Sequence, residues 1–388
     1  QHADGEMLAA QAAEEFGVPF TLATMSICSI EDVRSVTSKP FWFQLYVMRD
    51  RDFVLSLINR AKAAGCSALV LTLDLQILGQ RHKDLRNGLS APPRFTPKHV
   101  WQMMTRPFWC LDMLGTKRRT FGNIVGHAKG VGDLSSLSSW TSEQFDPQLS
   151  WKDIEWIRDH WGGKLILKGI LDEEDARMSL GSGADAIIVS NHGGRQLDGA
   201  ASSISMLPRI VDAVGDQMEV HLDGGIRSGQ DVLKALCYGA KGTYIGRPFL
   251  YGLGAAGKAG VRRSLEIIRR ELDTTMALCG ERDVKNLSRD NLHRALDAGL
   301  ASSGGSCENS GMSKGNAISK DLDRRIDALA ARSSLTRGQI IEDALAHGRS
   351  LAWQEKWIEG VEAGLADADR GDFVSEDEIA IVLSKYEP

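Results

Sequence analysis

The sequence predicts an α/β protein: a parallel, TIM-type (β/α)8 barrel lacking its first βα unit, followed by a small, mainly helical domain. Three observations carry this reading. Short apolar runs alternate with helical patterns from residue 1 to about 290, and such runs are strands buried on both faces in a sheet covered by helices. Chemistry-bearing residues stand at the C-terminal ends of several runs, which favours a barrel over an open doubly wound sheet. After a small, polar stretch at 301–316 the composition changes, as it does across a linker.

In chain order the strand candidates are 20–25, 41–47, 68–74, 164–170, 186–190, 219–223 and 242–246. Helical patterns at 51–64, 172–180 and 230–238 separate some of them, with Gly65, Gly181 and Gly239 expected as C-terminal caps. That makes seven strands where a barrel of this type has eight, and the shortfall is at the N-terminus. The chain opens on Gln1, which reads as a fragment or a processed product. We divide it into a barrel at 1–298, a linker at 299–316 and a C-terminal domain at 317–388.

The 388 residues are 43% hydrophobic with a net charge of −5, ample for a core and no argument for nucleic acid as a partner of the whole chain. Six scattered cysteines, without CxxC spacing or a nearby His cluster, argue for reduced thiols, no disulfide framework and no metal site. No apolar run is long enough to span a bilayer and no signal peptide is read, so a cytoplasmic location is expected.

The most informative stretch is Ser190-Asn191-His192-Gly193-Gly194-Arg195-Gln196-Leu197-Asp198, directly after an apolar strand. It puts a general base three residues from a permanent cation, with glycines that let the backbone turn tightly. That pairing suits removal of a proton or hydride from a small carboxylate substrate. Lys168 ends another strand, where it can neutralise developing negative charge or simply be solvated. Thr72 and Asp74 end a third; a carboxylate there can hold an imidazole's tautomer or merely cap a helix. Asp223-Gly224-Gly225-Ile226-Arg227 and Gly246-Arg247 follow the last two strands, the place where a TIM barrel binds phosphate.

Residues 94–150 break the alternation with mixed aromatic, Met and basic residues, among them Trp101, Met104, Arg106, Trp109, Lys117 and Arg118. Such a mixture suits a membrane interface, an active-site lid, or an insertion packed on its own barrel.

These segments, together with Gln44-Leu45-Tyr46, Gln80-Arg81 and 165–169, closely resemble the FMN-dependent 2-hydroxy-acid dehydrogenases and oxidases, above all the bacterial L-lactate dehydrogenases. The resemblance covers residues 2 to about 290. It implies FMN as cofactor and a small 2-hydroxy acid as substrate, with L-lactate oxidised to pyruvate. It implies His192 as the base, Asp74 as its partner, Arg195 and Arg81 as the carboxylate clamp, and Tyr46 hydrogen-bonded to the substrate. Lys168 would stabilise the reduced flavin. Gln44, Thr72 and Ser190 would contact the isoalloxazine or ribityl groups. Asp223, Gly224, Gly225, Arg227, Gly246 and Arg247 would hold the phosphate. The resemblance also reads 94–150 as a loop contacting the inner face of the cell membrane, a quinone or other respiratory electron acceptor, and a homo-oligomer. It departs in three places: the first βα unit and the region before it, with a Pro-Thr-Gly/Ala flavin contact and a substrate-binding tyrosine, are unmatched; Ala23 replaces a flavin-contacting Ser; and an unrelated domain follows.

Residues 317–388 resemble ribbon-helix-helix antitoxins of the ParD/CopG type, on an amphipathic helix at 321–331, a second at 334–344 with Arg337, and the tail from Gly364. That resemblance implies DNA or a toxin as partner. It gives the alternative reading, an antitoxin-like module carried on an inactive barrel.

Overall fold

A computed structural model describes residues 2–77, 79, 97–128, 145–197, 199–292 and 320–332, with 336, 337, 340, 355 and 359. The chain forms two compact units, 1–301 and 302–388. Among the described residues the first holds seven strands: β1 (Thr21–Ala23), β2 (Trp42–Tyr46), β3 (Ala68–Thr72), β4 (Lys164–Ile170), β5 (Ala186–Val189), β6 (Glu219–Asp223) and β7 (Gly242–Tyr244). All neighbours pair in parallel in the order β1-β2-β3-β4-β5-β6-β7, with β1 and β7 at the two edges. Each predicted strand is present, several of them shorter than expected.

Strand residues alternate between two cores, as the period of two requires. Leu69, Leu71, Leu165, Leu167, Ile187, Val189, Val220 and Leu222 pack in the large core of sheet and helices. Ala68, Val70, Ile166, Ala186 and Ile188 form a second cluster with Trp42 and Tyr244. Trp42 and Tyr244 belong to strands far apart in the sheet order, yet their rings lie 6.2 Å apart. The sheet therefore curls as a barrel does.

Local chemistry sets the helix ends. Ser29 and Ser228 form capping boxes with Asp32 and Asp231, each satisfying backbone N–H groups that the first turn leaves free. Gly65 and Gly239 take left-handed φ values of 73° and 97°, as expected of caps. Gly181 does not: it is the last residue of the helix Glu173–Gly181, and Gly183 makes the left-handed turn at φ 71°.

The 94–150 region divides into two parts. The helices Pro97–Met104 and Pro107–Gly115 leave Trp101, Met104, Leu111 and Leu114 between 63% and 68% exposed. This departs from an insertion packed wholly on its own barrel. Residues 116–128 and 145–150, by contrast, return to the body. Asn123 and Ile124 are fully buried, and Arg51 pairs with Asp146 at 2.8 Å and Asp153 at 2.6 Å. Among the described residues no helix is long and apolar enough to cross a membrane.

In the second unit the helix Lys320–Arg332 buries Ile326 and Leu329 against Ile340, and Arg325 pairs with Glu355 at 2.9 Å. Most of the second helix expected at 334–344, and the tail from Gly364, lie outside the described residues.

Candidate active site

The groups singled out from sequence converge at the C-terminal ends of the strands. Asp74 lies two residues past β3 and His192 three past β5, and His192 Nδ1 is 2.9 Å from Asp74 Oδ1. A carboxylate only accepts, so Nδ1 carries the proton and Nε2 is left as the base. The backbone at His192 is left-handed (φ 56°), followed by Gly193 at 69° and Gly194 at 70°. A side chain rarely tolerates that conformation, and such strain clusters at working sites.

Beside this pair, Lys168 Nζ lies 2.9 Å from both Ser190 Oγ and Asp223 Oδ2, and Ser190 Oγ donates to the same carboxylate at 2.9 Å. The Ser190 hydroxyl also accepts the His192 N–H at 3.1 Å. Burial pulls Lys168 towards its neutral form, but Asp223 and Asp74 more than offset this and hold it above the usual lysine range. Burial likewise raises Asp223, and the charge and hydrogen bond of Lys168 reverse the shift. Both groups are therefore ionised.

Gly169 makes the convergence possible. The β4–β5 register shifts beside it, its φ is 105°, and a Cβ there would stand 2.7 Å from both Cβ and Cγ of Asp74. On β2, Gln44 Nε2 donates to Thr72 Oγ1 at 2.6 Å, and the buried Tyr46 meets Phe145 edge-on at 6.1 Å. Gln196 Nε2 donates to the Ile77 carbonyl at 2.8 Å, and at Gly79 a Cβ would lie 2.7 Å from the Arg195 carbonyl. The loops after β3 and β5 thus lie in contact beside Arg195. Arg81 lies outside the described residues.

After β6, Gly224 and Gly225 are both left-handed (φ 95° and 80°). After β7, Gly246 precedes Arg247, the first residue of a helical segment that is broken at Ala256 and Gly257 and runs on to Leu278. Among the described residues, no atom beyond the chain neighbours lies within 4 Å of a Cβ placed on Gly225 or Gly246. Ser203 Oγ, buried and without a hydrogen-bond partner among the described residues, is 3.0 Å from a Cβ placed on Gly224, and Arg247 Nη2 is 3.3 Å from one on Gly193. Glycine backbone, open space, an orphaned donor and Arg247 make a fitting cradle for an anion.

Comparison with known proteins identifies the chemistry. Residues 1–294 match the family model described as FMN-dependent dehydrogenase. The chain belongs to this family. This dehydrogenase is 47% identical to an L-lactate dehydrogenase of Actinobacillus pleuropneumoniae serotype 5b (strain L20), over 74% of this chain and 76% of that protein. It is 48% identical to one from Xanthobacter autotrophicus (strain ATCC BAA-1158 / Py2), over 76% of each. Among solved structures it resembles the monotopic membrane protein (S)-mandelate dehydrogenase, with 37% identity, a TM-score of 0.70, and coverage of 75% of this chain and 76% of that one. A mandelate oxidase structure gives 40% identity and a TM-score of 0.61, covering 74% of this chain and 73% of that one. Nothing among these matches supports the antitoxin-like reading of 317–388, or the DNA or toxin partner drawn from it.

The residues fit FMN, the cofactor of the family. The cradle at Gly224, Gly225, Gly246 and Ser203 suits a phosphate, and the buried Lys168 cation suits a ring that gains negative charge. The sequence reading missed Ser203 and Gly169. Ser203 hides in a run of small polar residues, and Gly169 owes its importance to a strand it does not adjoin in sequence. In the dehydrogenase, Gly169→Ala should displace Asp74 from His192. We expect about 10²-fold slower flavin reduction with FMN retained, since a misplacement of about 1 Å costs that much; anaerobic stopped-flow absorbance would check it.

Proposed function

We propose that this dehydrogenase oxidises L-lactate to pyruvate with His192 as general base. The observation that carries this is the His192–Asp74 pair set beside the ionised Lys168–Asp223 pair, bridged through Ser190. Bound FMN supplies the two-electron acceptor. His192 Nε2 takes a proton from the substrate, and Asp74 steadies the imidazolium. Arg195 and Arg81 hold the carboxylate, and Tyr46 hydrogen-bonds the reacting end. Lys168 offers its ammonium to negative charge arriving at the cofactor. Gln44, Thr72 and Ser190 contact the ring or ribityl groups. Gly224, Gly225, Arg227, Gly246 and Arg247 receive the phosphate. The Asp223 carboxylate has no donor to give a phosphate and is engaged by Lys168 and Ser190, so its part is to keep Lys168 charged. Residues 1–298 form the catalytic part, and 317–388 a separate module joined through 299–316.

L-Lactate is favoured over other 2-hydroxy acids because the L-lactate dehydrogenases above are more similar in sequence, at 47–48%, than the mandelate enzymes at 37–40%. The test is to load the protein with FMN, remove free flavin, and add L-lactate, glycolate or (S)-mandelate without oxygen. Bleaching fastest with L-lactate supports the proposal. Retained flavin that no 2-hydroxy acid bleaches would refute it.

The exposed Trp101, Met104, Leu111 and Leu114 further support contact with a membrane surface, where electrons would pass to a quinone-type acceptor. Apolar side chains on short helices with nearby Lys and Arg insert at the headgroup level. Trp101→Ser combined with Leu114→Ser should lower co-sedimentation with anionic vesicles several-fold, leaving flavin reduction by L-lactate unchanged. Equal sedimentation of variant and parent would dismiss this surface.

A further inference from the structure

We infer that Asn123 is a positioning residue for the flavin and substrate groups of β2, acting through Thr24; this rests on the function proposed above. Asn123 is fully buried and lies in the segment returning from the exposed helices. Its Oδ1 accepts the Ile30 N–H at 2.9 Å, and its Nδ2 donates to Ser26 Oγ at 3.0 Å and reaches the Ala23 and Thr24 carbonyls at 3.4 Å. One amide thus holds the whole turn that follows β1. A buried amide with donor and acceptor both engaged fixes its surroundings more strictly than an apolar side chain of that size.

That turn sets the end of β2. Thr24, also fully buried, donates through Oγ1 to the Gln44 carbonyl at 2.8 Å and accepts the Tyr46 N–H at 3.3 Å. A single hydroxyl therefore bonds the backbone of both residues that carry β2's part of the site. Gln44 in turn bonds Thr72. The chain of bonds runs from Asn123 to Thr24, to Gln44 and Tyr46, and on to β3.

The other end of the segment is fastened as well. Arg118 pairs with Asp4 at 3.1 Å and Asp32 at 2.8 Å, and Thr116 Oγ1 donates to Asp4 at 2.6 Å. At Gly122 a Cβ would lie 2.7 Å from the Ile27 carbonyl, so the two backbones are in contact. Through this segment a shift of the exposed helices at 97–115 has a short route to the β1–β2 strand ends, and Asn123 is its last link.

The experiment compares Asn123→Ala, Thr24→Val and Thr24→Ser with Val33→Ala, a core truncation outside the chain of bonds. Amide exchange is read on the protein without substrate, and flavin reduction by L-lactate is read per bound FMN. Asn123→Ala and Thr24→Val should speed exchange at the Tyr46 amide at least tenfold. Both should slow flavin reduction or weaken substrate binding by a similar factor, less than additively when combined. Thr24→Ser keeps the hydroxyl and should restore most of both, while Val33→Ala should lower Tm alone. If Asn123→Ala and Thr24→Val lower Tm but leave Tyr46 exchange and flavin reduction at parent values, Asn123 is merely structural and the inference falls. If the parent's flavin is reduced by no 2-hydroxy acid, the functional reading falls and takes this one with it.

Discussion

His192→Ala is expected to slow reduction of bound flavin by L-lactate by about 10²–10⁴-fold, the usual contribution of a positioned general base. The Nδ1 bond to Asp74 leaves Nε2 as the one ring nitrogen that can take the substrate's proton. FMN should remain bound, because the His192 side chain contributes nothing to the cradle at Gly224, Gly225 and Gly246. The backbone at 192 is left-handed, a conformation that Ala bears no better than His, so relief of strain does not mask the loss. Asp74→Asn should fall in the same direction, since it removes the charge that steadies the imidazolium. The measurement is the first-order bleaching rate at saturating L-lactate, with the oxidised spectrum confirming flavin content. Parent-like bleaching in His192→Ala would sink the assignment.

Lys168→Met should destabilise the fold by about 3–5 kcal/mol, because it leaves the Asp223 carboxylate buried without its counter-charge. The two side chains are only 13% and 22% exposed, so solvent does little to compensate. FMN affinity should fall as well. Adding Asp223→Asn removes the stranded charge, and should recover much of the stability but not the flavin affinity. Urea unfolding and flavin retention separate the two effects, and a Lys168→Met protein of parent stability would overturn the argument. The pH dependence has a fixed sign. Asp223 is held below its ordinary value of 3.8, so its contribution is complete above that pH and is lost as the pH falls through the depressed value. Lys168 is held above 10.5, so its contribution is complete below that pH and is lost as the pH rises through the raised value. The pair is thus at full strength across the neutral range.

Much of the site was legible because strand-end chemistry is written locally. An apolar run followed by Ser190-Asn191-His192-Gly193-Gly194 announces a strand, a tight turn and a base without reference to any other part of the chain. The glycines after β6 and β7 are legible for the same reason. What was not legible depends on partners far away in sequence. Asp223 reads as part of a phosphate loop, yet its carboxylate is turned to Lys168 on β4. Gly169 looks like an ordinary glycine within a strand, until Asp74 is seen where its Cβ would be. Gly181 looks like a cap because it ends a periodic pattern, but the helix keeps it and the left-handed turn falls at Gly183.

By its motifs the sequence resembled the family with its FMN; by itself it determined the alternating elements, the parallel sheet and the side of that sheet on which chemistry collects. Those follow from short-range rules: a period of two in strands, glycine where φ turns positive, apolar runs where both faces are covered. Only the tertiary structure decided which of those groups touch. The His192–Asp74 bond, the Lys168–Ser190–Asp223 cluster and the Asn123–Thr24 link each join residues brought together by strand register and sheet curvature. Register and curvature are set by the packing of the whole barrel, and no local stretch of sequence states them.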